Sequence, residues 1–397
     1  MRILQVNNYG YMRGGSERYF FDICDMLEKN GHTVTSFSAG VDINQHVSES
    51  ITIEEKSLYG PTLKVAKRYI FDKRNQNLLR EYLQKHTVDL AHLHIYYGQI
   101  TTSILQVLKE FKIPIIQTLH EYKLVCPNAI MYCKQSVCES CTKNKLFALK
   151  NRCNKNSFTR SLAIAMESKF SEWMGSISSI DHFISISDFQ KNKLAEYGIP
   201  KYKMTTVHNF SKDPSNASQN SSEDYFLFYG RIERLKGIFT LIEASAEVPE
   251  IPLVVAGIGK GVSEIKSIIK EKNLNHISMV GFQSGKDLSE LIKGSICTVL
   301  PSEWHEPFGL TITESFAFGK PVICSKMGGM IELVDHKKDG LFFDPMSSVD
   351  LKDKLKWMRD NRMKAREMGN NGRLKYEKKF SEEVHYNNII DVYSRFI

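Results

Sequence analysis

The chain has 397 residues, of which 42% are hydrophobic and 25% charged, and carries a formal net charge of +8. That length suits two domains of about 200 residues each, and the composition is that of a globular protein, not a fibrous or disordered one. No apolar run reaches the ~18 residues of a membrane-spanning helix, and Met1-Arg-Ile-Leu-Gln-Val-Asn7 reads as a buried strand with no signal-peptide h-region, so the cytoplasm is the expected compartment.

Ile3–Asn7 is the first expected strand, followed by a loop over Gly10–Ser16. From Glu17 to Lys29, Tyr19, Phe20, Ile23, Met26 and Leu27 recur near 3.6 residues per turn, a helix that Asn30-Gly31 stops. Further strands are expected at His32–Ser38, Val88–Leu93, Pro114–Thr118, His182–Ile186 and Met204–Val207, with helical patterns between most of them. Ser211–Ser222 is polar and nearly free of apolar residues, the pattern of a linker. A second run then begins. Strands at Tyr225–Tyr229, Leu253–Ala256, Ile277–Val280, Ile296–Leu300 and Val322–Cys324 alternate with helices around 237–247, 262–272, 285–293 and 309–318. Strands alternating with helices imply α/β, doubly wound parallel sheets. The expected organisation is a Rossmann-like domain over 1–210, a linker over 211–222 and a second Rossmann-like domain over 223–380.

The stretch Ser302-Glu-Trp-His-Glu-Pro-Phe-Gly-Leu-Thr-Ile-Thr-Glu314 carries the clearest chemistry. A strand precedes it and a short helix follows, so Pro307 and Gly309 fall where loop becomes helix. The backbone N–H groups of Phe308, Gly309 and Leu310 then lie at the positive end of a helix dipole, which suits an anion. Glu306 stands before the turn and Glu314 about a turn and a half into the helix. A phosphate-bearing ligand with hydroxyls on both sides, such as a nucleotide-sugar, matches that set. Arg231 and Lys236, in Gly230-Arg-Ile-Glu-Arg-Leu-Lys-Gly237, leave the carboxyl end of a parallel strand, where open α/β sheets bind ligands. Arginine offers phosphate a fork and lysine a point charge. Gly14-Gly15 opens the first helix, where glycine admits close approach of a ligand.

The segment EPFGLTITE resembles the E-x7-E motif of retaining glycosyltransferases with the GT-B fold, family 4 in particular, and the other motifs follow in family order along nearly the whole chain. The resemblance implies two Rossmann-like domains facing a central cleft, with a last helix, here Ser381–Ile397, crossing back onto the first domain. It implies that Glu306 faces the donor sugar, that Glu314 holds the ribose, and that Arg231 and Lys236 neutralise the leaving diphosphate in place of a metal. It places Gly14 and Gly15 under the donor phosphates, and Gly257 and Phe282 along the nucleobase. His120, in Leu-His-Glu-Tyr-Lys, falls where the family has a His-Asp-Tyr-like sequence beside the reacting sugar; Glu121 departs from the usual aspartate. Asn209 at the hinge and Ser187, which also reads as a helix N-cap, are assigned to the acceptor side. His92 and His94 are left as core or rim. The implied reaction is retaining transfer of a sugar to a glycan or lipid-linked acceptor hydroxyl, with no cofactor required.

Two features stand outside that reading. Cys133, Cys138, Cys141 and Cys153 include a Cys-x2-Cys pair flanked by single cysteines, the spacing of a structural zinc site. All the excess positive charge lies in residues 1–210, which carry 27 Lys+Arg against 19 Asp+Glu. An anionic membrane or a nucleic acid would match it, although no nucleic-acid motif appears. Thr62–Gln84 reads as one interfacial helix, its apolar side Leu63, Val65, Ala66, Tyr69, Ile70, Phe71, Leu78, Leu79, Tyr82 and Leu83. Its cations are Lys64, Lys67, Arg68, Lys73, Arg74 and Arg80. A nucleotide-sugar epimerase of the same architecture is the alternative enzyme. It would need an acid/base carboxylate pair that the sequence does not supply. A nucleic-acid-binding protein without catalysis is the other alternative, and it leaves the glutamate motif without purpose.

Overall fold

The near-continuous apolar strands pair in parallel and bury both faces, as expected where helices cover a sheet on both sides. The computed structural model describes residues 1–40, 49–56, 63–214 and 225–397, so of the expected linker only residues 211–214 are described. The chain divides into two units. The first comprises Met1–Cys133, Cys138–His208 and His385–Ile397, and the second Asn209–Val384 with Lys134–Val137. Asn209 and Phe210, read as the end of the first domain, therefore group with the second.

In the first unit, β1 (Arg2–Tyr9), β2 (Thr33–Ala39), β3 (Glu49–Ile53), β4 (Leu90–Leu93), β5 (Ile115–Leu119), β6 (His182–Ser185) and β7 (Met204–Thr206) form one sheet in the order β3-β2-β1-β4-β5-β6-β7. Every recorded pairing is parallel, and β1 sets Gln5 opposite His92 on β4. Ile3, Leu4 and Val6 on β1 are almost wholly buried, and the helix Gly15–Lys29 covers them with Tyr19, Phe20, Ile23, Met26 and Leu27. The closing helix, Glu382–Tyr393, buries His385, Ile389, Val392 and Tyr393, and residues from His385 onward belong to this first unit.

The second unit repeats the plan. β8 (Tyr225–Tyr229), β9 (Leu253–Ala256), β10 (Ile277–Gly281), β11 (Ser295–Leu300), β12 (Val322–Ser325) and β13 (Gly340–Phe343) run in the order β10-β9-β8-β11-β12-β13. The strand order reverses between β8 and β11, so a ligand crevice is expected at their carboxyl ends. Both sheets share the 3-2-1-4-5-6 order of a Rossmann-like fold. A helix not anticipated from sequence, Arg362–Lys379, packs on Leu310–Ala317 so closely that a Cβ built on Gly372 would lie 2.4 Å from the Phe316 ring.

The segment read as one interfacial helix, Thr62–Gln84, is two helices, Leu63–Ile70 and Lys73–Leu83. Asp72 breaks it. Its carboxylate caps the second helix at Arg74 N–H and pairs with Lys56 and Arg68, each at 3.0 Å. Leu79 and Leu83 are buried in the fold, and Arg80 pairs with Glu110 at 2.8 Å. Of the apolar side expected to meet lipid, Leu79 and Leu83 are thus core, while Tyr69, Ile70, Phe71, Leu78 and Tyr82 are half-buried. Lys67, Lys73 and Arg74 remain exposed, while the side chains of 63–66, Lys64 among them, lie outside the described residues. Among the described residues no helix is long and apolar enough to cross a membrane.

Candidate active site

At the switch point of the second unit, β8 ends in the loop Gly230–Gly237 and β11 in the loop Pro301–Gly309. These loops bring Lys236 and Glu306 together. The Lys236 ammonium donates to both carboxylate oxygens of Glu306, at 2.9 and 2.8 Å. Ser302 Oγ and Trp304 Nε1 donate to Oε2 at 3.0 and 2.8 Å. Burial pushes the Glu306 carboxyl up, but the Lys236 charge and the donated hydrogen bonds outweigh it and hold the group below its ordinary value. The result is an ionised carboxylate with a fixed orientation. Gly328, which the sequence reading missed, makes room for it: a Cβ there would fall 2.5 Å from the Glu306 carbonyl oxygen, and Gly329 N–H donates to that oxygen at 2.7 Å.

The other expected residues of this unit occupy three kinds of place. Gly309 takes φ +127°, a conformation open to glycine and few other residues, and the helix Leu310–Ala317 starts from it. Phe308 turns its ring into the core, edge-on to Phe380 at 6.2 Å. Glu314 is on that helix with 8% of its surface exposed. Arg231 does not join Lys236 and Glu306: its guanidinium is half exposed, 3.6 Å from Glu233. A Cβ on Gly257 would lie 1.9 Å from the Gly230 carbonyl oxygen, so glycine there lets two strand-end loops touch. Phe282 is 63% exposed, and Ile258 after the adjacent strand is 61% exposed, an apolar pair at the same sheet edge.

In the first unit, Gly14 and Gly15 are exposed at the start of the helix Gly15–Lys29. Gly14 has φ −175°, extended backbone that any residue adopts, so its small size leaves space and satisfies no backbone demand. His120 ends β5, half-buried, its Nε2 3.0 Å from His94 Nδ1. The edge of Tyr19 approaches its ring at 5.0 Å. Burial pushes His120 down to about 3, a neutral imidazole at physiological pH. The neighbouring Glu121 is pushed up to about 7, chiefly by burial, with Lys123 opposing and Glu17 and Glu167 adding to the rise. His92 and His94 are core residues, 0% and 1% exposed.

Three calls change. Ser187 is fully buried and its hydroxyl accepts the Gln190 N–H at 3.1 Å, so it is a helix cap and offers an acceptor no surface. Asn209 is likewise buried, at 3% exposure. Cys133 and Cys153 sulfurs lie 3.6 Å apart, close enough to share a metal, but Cys138 Sγ contacts Ser140 Oγ and Cys141 packs on Ala148 and Ala165. Among the described residues no three His, Cys, Asp or Glu side chains form a group able to hold a metal ion. The donor set therefore does not fit the expected zinc.

The description "Glycosyltransferase Family 4" matches residues 13–210, and "Glycosyl transferases group 1" matches residues 209–375. The chain belongs to the family 4, group 1 glycosyltransferases. This glycosyltransferase is 29% identical over 203 residues to an uncharacterized glycosyltransferase of Methanocaldococcus jannaschii, covering 51% of this chain and 56% of that one. It is 24% identical over 196 residues to O-antigen chain mannosyltransferase C of Escherichia coli, covering 48% and 52%. The chain thus spans about half the length of each of these relatives. Its fold is that of Anabaena HepE in complex with UDP and glucose, with a TM-score of 0.69, 19% identity and 99% of both chains covered. The two Rossmann-like units are accordingly those of a GT-B glycosyltransferase.

Proposed function

We propose that this glycosyltransferase moves a sugar from a nucleoside-diphosphate sugar to an acceptor hydroxyl with retention of anomeric configuration. The observation that carries the reading is the bidentate Lys236–Glu306 pair at the carboxyl ends of β8 and β11. An ammonium held there supplies charge to a departing diphosphate, and Arg231, on the same loop with an exposed guanidinium, supplies a second cation. Glu306, oriented by Ser302 and Trp304, accepts hydrogen bonds from hydroxyls of the donor sugar. Glu314 then serves the ribose, Phe282 and Ile258 offer apolar surface to the base, and the exposed helix start at Gly14–Gly15 suits an anion. The acceptor hydroxyl attacks from the leaving-group side and passes its proton to the departing phosphate oxygen. An α-linked donor then gives an α-linked product.

The HepE complex with UDP and glucose supports the donor class, and the O-antigen chain mannosyltransferase supports a glycan or lipid-linked acceptor. Peripheral attachment to an anionic membrane rests on exposed cations such as Lys67, Lys73 and Arg74 and on the half-buried Tyr69, Ile70, Phe71 and Leu78, since Leu79 and Leu83 are core. Several first-unit cations are also neutralised by partners, Lys109 by Asp181 and Lys145 by Glu172 among them, which weakens the nucleic-acid alternative. The test is transfer from a panel of UDP- and GDP-sugars, with product anomers assigned by NMR. Glu306→Ala should cut turnover by about two orders of magnitude while the fold is kept. A wild-type rate in the folded variant, or a β-linked product from an α-linked donor, overturns the reading.

A further inference from the structure

Beneath His120 lies a buried row of polar side chains drawn from β1, β4, β5, the helix Gly15–Lys29 and the closing helix. We infer that it is one directed hydrogen-bond chain, anchored on the His208 backbone carbonyl, which holds His120 in the tautomer with Nδ1 unprotonated. The functional half of this inference rests on the placement of His120 in the transfer site.

The direction follows link by link. His385 Nδ1 lies 2.7 Å from the His208 carbonyl oxygen. A carbonyl only accepts, so His385 carries its proton on Nδ1. A neutral imidazole has one N–H, so Nε2 bears a lone pair and takes the Tyr19 hydroxyl proton, at 2.9 Å. Thr118 also hydrogen-bonds the Tyr19 hydroxyl, and with the Tyr19 proton given to His385 that oxygen can only accept. With its single proton committed, Thr118 Oγ1 accepts from His92 Nε2 at 2.7 Å. His92 Nδ1 therefore accepts from the Tyr393 hydroxyl, also at 2.7 Å. The Tyr393 oxygen is left to accept from Gln5 Nε2, at 3.5 Å, which turns Gln5 Oε1 toward His94. That oxygen receives the His94 Nε2 proton at 2.7 Å. His94 Nδ1 is then a lone pair, and at 3.0 Å it accepts from His120 Nε2. His120 is left with a bare Nδ1.

Each step needs its histidine neutral, and burial holds all four so: His92 and His94 well below their ordinary value, His385 at about 4 and His120 at about 3. Reversing any link would leave two donors or two acceptors facing each other in the core, which costs a buried hydrogen bond. Tyr393, Gln5 and His385 are thus positioning residues. They present His120 to a sugar hydroxyl as an acceptor and never as a donor.

Long-range proton–nitrogen NMR correlation on protein labelled with 15N-histidine reads this directly, with assignment by single substitution. The expected pattern is a protonated Nδ1 at His385 and unprotonated Nδ1 atoms at His92, His94 and His120. Tyr393→Phe removes one hydroxyl and frees the Gln5 amide to turn, so the His120 Nδ1 resonance should move toward the value of a mixed tautomer. Turnover should then fall about two- to five-fold with donor KM unchanged. A protonated Nδ1 at His120 in the wild type overturns the inference, as does a His120 spectrum unmoved in folded Tyr393→Phe. The predicted spectra in a protein that transfers no sugar leave the chain standing and sink the transfer reading instead.

Discussion

Replacing Lys236 with Met should destabilise the second unit in a strongly pH-dependent way. The substitution keeps a long unbranched side chain but removes the ammonium, 5.4 Å from the Trp304 ring centroid, and leaves the Glu306 carboxylate with only Ser302 and Trp304 as donors. Breaking a fully buried pair costs about 3–5 kcal/mol; the side chains of Lys236 and Glu306 are 21% and 14% exposed, so about 2–3 kcal/mol is expected at pH 7.5. In the native protein the Glu306 pKa is depressed below its unfolded value near ~4.3. The pair therefore contributes stability above that pH, which is lost as pH falls through the folded pKa. In Lys236→Met only the Ser302 and Trp304 hydrogen bonds oppose the upward push of burial, so the folded pKa rises and the stability that the pair contributed at higher pH is lost. The gap between the two proteins should be small near pH 4 and fully open by pH 7.5. Urea unfolding followed by tryptophan fluorescence reports it, since Trp304 touches the site. The double variant Lys236→Met, Glu306→Gln buries no charge and should return to within about 1 kcal/mol of wild type while remaining inactive. Unchanged stability of Lys236→Met at pH 7.5, or a double variant as weak as the single, refutes the argument.

Glu121→Gln should stabilise the protein at pH 8. Its folded pKa of about 7 lies above the ordinary 4.5, so the native residue costs stability progressively between those values, up to about 3 kcal/mol. Melting curves should show the gain at pH 8 and none near pH 4.5; equal melting at pH 8 contradicts the burial of that carboxyl. Gly372→Ala should lower stability by about 1–3 kcal/mol because its Cβ would overlap the Phe316 ring, and an unchanged melting temperature would mean the two helices separate freely. Metal analysis of protein purified without chelator should find no stoichiometric zinc; one equivalent would show that Cys133, Cys138, Cys141 and Cys153 close together in solution.

Much of both sheets was legible because buried parallel strands are short apolar runs bounded by turn residues, as at Leu253–Ala256 and Ile296–Leu300. Strand β3 escaped because Glu49–Ile53 alternates polar and apolar at a sheet edge, and β13 because it is four residues opened by a glycine. The break at Asp72 was hidden for a different reason. Leu63–Leu83 has helical spacing throughout, and Lys56, the ion-pair partner that holds the Asp72 carboxylate where it caps the second helix, lies on another segment. Glu306 was found from its own neighbourhood, but its pairing with Lys236 spans seventy positions and no local pattern records it. The row beneath His120 was less visible still, since Gln5 and Tyr393 are 388 residues apart and each alone reads as core. Local motifs name chemistry, while the partners that set charge and tautomer come from tertiary contact.

The return of the last helix to the first unit has a consequence for how the protein is made. Ile389, Val392 and Tyr393 fill that unit's interior, Tyr19 and Gln5 donate hydrogen bonds to His385 and Tyr393, and His92 accepts one from Tyr393. A ribosome that has delivered residues 1–208 has released a sheet with its polar interior unsatisfied and part of its core missing. The second unit, by contrast, has all its residues once Val384 emerges. The half synthesised first is therefore completed only after the second, and a chain interrupted before His385 would leave a finished second unit tied to a first one that cannot close.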